Sequence, residues 1–76
     1  MNGPAWDSCE IRYVITNPDA VRGLGLCEEL PLGWVVGSVE PDPVRRRYTL
    51  VFEVQGEPTE RDGLLVQRIL SRVGAL

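Results

Sequence analysis

Seventy-six residues, 43% hydrophobic and 25% charged, describe one small globular domain and exclude the disordered and fibrous classes. A formal charge of -3 argues against nonspecific nucleic-acid binding, which needs a basic surface to displace counterions. There is no His, and all eight basic residues are Arg, so the commonest general base, the commonest metal ligand and the Schiff-base amine are missing.

Catalysis would fall to Cys, carboxylates, Tyr and Arg, and nothing beside either Cys suggests a base to activate it. The expectation is a protein that is not an enzyme, with no catalytic residues, no cofactor and no metal. No run approaches the ~18 apolar residues of a membrane span. The first residues lack the basic and apolar regions of a signal peptide, so the expected setting is the cytoplasm, away from a membrane.

In chain order, residues 1–8 read as an extended lead-in, with Trp6 either closing the core or contacting a partner. From Cys9 to Thr16 the sequence alternates, Ile11, Tyr13 and Ile15 against Glu10, Arg12 and Thr16, which predicts a strand with Val14 on its outer face. Asn17-Pro18-Asp19 is a helix start: Asn caps the free amides, and Pro loses nothing by lacking an N–H at the first helical position. Ala20, Val21, Leu24, Cys27 and Leu30 then approximate one helical face, but Gly23 and Gly25 weaken it, so a break near Gly23 with a second short turn at Leu26 to Leu30 before Pro31 is the alternative.

The stretch 34–55 predicts one long β-hairpin. Tyr48, Leu50, Phe52 and Val54 alternate with Arg47, Thr49, Glu53 and Gln55, with Val51 the exception on the polar face. A loop of three residues (41–43) or five (41–45) would put Trp34 and Val36 on the Leu50 and Phe52 face, whereas an even loop would split the two apolar sets. The second face would then hold Val35, Val39 and Val51 around Gly37. After the Gly56 and Pro58 turn, Thr59 followed by Asp62 resembles a capping box. The helix it opens runs from Glu60 to about Val73, with Leu65, Val66, Ile69, Leu70 and Val73 as its apolar stripe and Gly74 as its stop.

The predicted fold is therefore α+β, a small two-layer sandwich in the order β-α-β-β-α, its three-stranded sheet covered by a C-terminal amphipathic helix. If the first two strands are parallel, this is a split β-α-β arrangement, similar in topology to most of a ferredoxin-like fold without its last strand.

Few motifs carry chemistry. Gly23-Leu24-Gly25 follows a helix start rather than a strand and has Glu28 where a dinucleotide loop needs its third Gly. Cys9 and Cys27, seventeen residues apart, fit no zinc or redox pattern and read as buried or half-buried thiols. The consecutive Arg45, Arg46 and Arg47 are the main polar feature, able to engage a partner's carboxylates bidentately. Without them five Arg oppose eleven Asp and Glu, which would repel a nucleic-acid backbone.

The expected function is a small non-catalytic protein-binding or assembly module that forms a homodimer. Val14, Val35, Val39 and Val51 are the candidates for self-association, and Arg45, Arg46, Arg47, Trp6 and Trp34 for contact with a protein partner. One alternative is a phage- or mobile-element-type acidic inhibitor that docks on a larger protein. Another is a nucleic-acid accessory protein that uses the Arg run.

Overall fold

In the computed structural model, which describes residues 8–76, three strands form one antiparallel sheet in the order β1-β3-β2. The strands are β1 (Ser8–Ile15), β2 (Trp34–Asp42) and β3 (Arg47–Gln55), followed by the helix α1 (Glu60–Arg72). Ser8, expected in the lead-in, begins β1 opposite Gln55, and Trp6 lies outside the described residues.

The central strand explains the order. Strand β3 carries the strongest apolar alternation, so pairing on both edges places Leu50, Phe52 and Val54 in the middle of the covered layer. Phe52 lies between Ile11 of β1 and Val36 of β2, is fully buried, and meets Trp34 and Tyr13 edge to face at 5.3 and 5.8 Å. Val66, Ile69 and Leu70 of α1 complete the core from above. Val73, expected on that stripe, is the helix cap and is 40% exposed.

Because β1 and β2 are both antiparallel to β3, they run parallel to each other with β3 between them, the split arrangement expected. What joins them is not a helix of normal length. Two 3-10 turns, Pro18–Val21 and Leu24–Leu26, replace it. Asn17 does cap the first turn, accepting from the Asp19 amide at 3.2 Å, but the chain turns again at Gly23. Two glycines in five residues cost a helix about 1 kcal/mol each, and burying Val21 and Leu24 needs only isolated turns. Leu26 and Leu32 are left fully or almost fully exposed.

The hairpin corrects the expected loop parity. Asp42 pairs with Arg47, so residues 43–46 form an even loop, which should have turned Trp34 away from the core. A bulge between Val36 and Ser38 takes up one extra residue, Gly37, and returns Val36 to Phe52 and Trp34 to Val54. Gly37 fits because a Cβ there would lie 3.2 Å from the Val51 carbonyl oxygen and from Cγ of Glu53. Val39, on the loop side of the bulge, therefore pairs with Leu50 and packs on the core, not on the outer face expected for it.

Helix α1 is closed at both ends by the expected devices. Thr59 Oγ1 accepts from the Asp62 amide at 3.1 Å, and Asp62 reaches back to the Thr59 amide. Gly74 adopts φ 82°, and the Gly74 and Ala75 amides donate to the Ser71 and Leu70 carbonyls, a Schellman motif. The last residues are part of the fold: Ala75 is fully buried, and its carbonyl accepts from the Thr16 and Asn17 amides.

Deleting Gly37 should leave Val36 opposite Phe52 and Trp34 in the core, at a cost of about 1 kcal/mol or less. Trp34 fluorescence in a Trp6→Phe background measures this, and a solvent-exposed Trp34 would contradict the bulge register. A second expectation concerns Tyr13, whose hydroxyl donates to the Gly63 carbonyl at 3.0 Å and whose pKa is raised by burial. A raised acid pKa favours the folded state while the phenol is neutral, so this contribution is complete below the unfolded value near 10 and is lost as pH climbs through the raised value. Tyr13→Phe should cost about 1 kcal/mol at neutral pH and remove part of the alkaline loss of stability, as read by urea unfolding at several pH values.

Candidate functional site

Among the described residues a single helix covers one face of the sheet, and no helix or strand lies over the other. Alternation, reset in β2 by the bulge at Gly37, decides what stands there: Glu10, Arg12 and Val14 from β1, Thr49, Val51, Glu53 and Gln55 from β3, and Val35, Ser38 and Glu40 from β2. The register arranges these in cross-strand rows. Glu10 and Val35 flank Glu53, Arg12 and Ser38 flank Val51, and Val14 and Glu40 flank Thr49.

The four valines expected on this surface separate. Val14 and Val35 are 50% and 58% exposed. Val51 is on this face but only 3% exposed, and Val39 belongs to the core side. The open surface is thus two apolar spots in a charged surround. Trp34, expected as a partner contact, is 5% exposed and packs on Phe52, so it offers no surface to another molecule.

Glu10 and Glu53 face each other directly, an arrangement of like charges that destabilises a ladder. Arg12 answers it, donating from Nη2 to Glu10 Oε1 at 2.7 Å along the same strand. Both side chains of that pair are about half exposed, so in the isolated chain it adds little to stability. A cavity of about 350 Å³ lies at this end of the sheet, lined by Glu10, Val35 and Glu53 together with Ser8, Cys9 and Gln55. The sequence did not single out Glu10, Arg12 or Glu53, because only the β1-β3 register brings them together.

At the other end, Asp42 organises the Arg run. Its Oδ1 accepts from the Arg45 amide at 3.3 Å, and its Oδ2 lies 3.5 Å from Arg45 Nη1 and 3.9 Å from Arg47 Nε. Arg45 and Arg47 therefore converge on one carboxylate. Arg46 adopts φ 54°, the left-handed conformation that ends this loop, and no carboxylate among the described residues pairs with it. Val44, at the tip, is 90% exposed.

Among the described residues no group of three or more Cys, Asp or Glu is placed to hold a metal ion. Cys9 and Cys27 are free thiols; Cys27 is half buried against the core, whereas Cys9 is exposed rather than buried. No helix among the described residues is long and apolar enough to cross a membrane. Compared with known protein families, with curated proteins and with solved structures, the chain finds no match.

Proposed function

We propose that this protein is a small, non-catalytic protein-binding or assembly module whose first partner is a second copy of itself, as a homodimer. The observation that carries this reading is the one-sided covering of the sheet among the described residues. Helix α1 and the 3-10 turns bury one face, while the other presents Val14 and Val35 at half exposure among alternating charges. Exposed apolar side chains among charged groups are a usual feature of an interface, and closed two-fold pairing is the commonest way for one chain to associate with itself.

A second reading rests on the hairpin tip. Val44 stands almost fully exposed beside Arg45 and Arg46, a short apolar and basic projection suited to an acidic pocket on a larger protein, as an inhibitor would use. The same tip supports a nucleic-acid role poorly. Arg45 and Arg47 already share Asp42, and the chain as a whole is acidic.

Sedimentation velocity across the micromolar range separates these readings. Self-association should appear as a concentration-dependent shift from one chain to two. A chain that stays monomeric at high micromolar concentration would overturn the assembly reading and favour docking through the tip.

A further inference from the structure

We infer that two copies pair through the outer edge of β1, antiparallel and centred on Ile11, to make one continuous six-stranded sheet with both helices on the same face. This rests on the self-association proposed above but places it on a sheet edge, so that the faces carrying Val14 and Val35 lie side by side on the joined sheet instead of covering each other.

The two edges of the sheet are not equivalent. Strand β2 has a bulge at Gly37 and a proline, Pro41, which has no N–H to donate, and both features obstruct pairing with another chain. Strand β1 has neither. It is eight residues long, without bulge, proline or lysine, and among the described residues it pairs only with β3. From Cys9 to Ile15 its outward backbone groups form a regular template for one more strand.

The side chains of β1 then select the partner and the register. A two-fold axis normal to the sheet keeps covered faces with covered faces, so each residue must meet one of like orientation in the second copy. Centring on Glu10 would oppose two carboxylates, and centring on Arg12 would oppose two guanidinium groups. Centring on Ile11 sets Glu10 against Arg12 of the second copy, twice. The Arg12–Glu10 pair within each chain, 2.7 Å apart, then becomes half of a four-membered ring of alternating charges. Arg12 has five N–H donors and Glu10 a second oxygen, so the ring needs no existing bond to break.

The covered face agrees with this placement. Half-buried Ile11 would meet its own copy, and exposed Cys9 would meet Tyr13 of the other chain. An axis lying in the plane of the sheet would instead put Glu10 beside Ile11 or Tyr13 of the second copy, which leaves charge against apolar surface. The partner that fits this edge is therefore another β1.

Charge exchange tests the register. Glu10→Arg alone and Arg12→Glu alone should each weaken the dimer roughly tenfold, because the two-fold axis applies every change twice. Carried together, the two substitutions restore alternating charge and should return affinity to near the wild-type value. Circular dichroism checks that each variant remains folded. Independently, Ile11→Cys in a Cys9→Ser, Cys27→Ser background should form an intermolecular disulfide on mild oxidation, since facing residues on paired strands lie within disulfide reach. A dimer that ignores the charge changes and does not cross-link at position 11 would overturn the β1 edge while leaving self-association standing. A wild-type protein that never associates would remove both.

Discussion

The structure depends on one constraint: the apolar side of β3 must face α1. Leu50, Phe52 and Val54 alternate strictly, and Val66, Ile69 and Leu70 of the helix meet them. In a 76-residue chain, which buries only about 60% of its unfolded surface or a little more, there is one core to satisfy and little else to stabilise the fold. Both neighbouring strands must therefore enter in a register that adds Ile11, Tyr13, Trp34 and Val36 to the same layer.

That demand accounts for the irregularities. An even hairpin loop would turn Trp34 outward, so the bulge at Gly37 corrects it where the backbone of β3 comes too close for a side chain. The connection from β1 to β2 needs only to bury Val21 and Leu24, and two short turns suffice. The chain end is held under the same layer, where Ala75 is buried and bonded to the end of β1. Among the described residues, satisfying one face leaves the opposite face and both sheet edges without helical cover, and the proposed association uses one of those edges.

The elements legible in the sequence were those with a strong period or a local capping code. Alternation from Tyr48 to Val54 marked β3, and Thr59, Asp62 and Gly74 marked the ends of α1 through contacts within a few residues. The chain between Pro18 and Leu30 was legible only in part: the glycines announced the break near Gly23, but a helical stripe and a pair of isolated turns can bury the same apolar residues, and only tertiary packing chooses between them. Val39 was placed on the wrong face because loop length and bulge each shift parity, and neither is encoded by alternation alone. The rows of Glu10, Arg12 and Glu53 were hidden for a similar reason, since β1 and β3 lie some forty residues apart in the chain. By contrast, Asp42 meets Arg45 and Arg47 within a few residues, because the hairpin holds the two sides of its own loop together.

If β1 is the edge on which assembly occurs, its outward amides change environment when two chains meet, whereas those of β2 do not. Amide hydrogen exchange, followed residue by residue at low and high protein concentration, observes this directly. The expected result is protection that rises with concentration at alternate residues of β1 between Cys9 and Ile15 and stays constant along β2. Constant protection along β1, or protection that rises instead on β2 near Gly37, would contradict it.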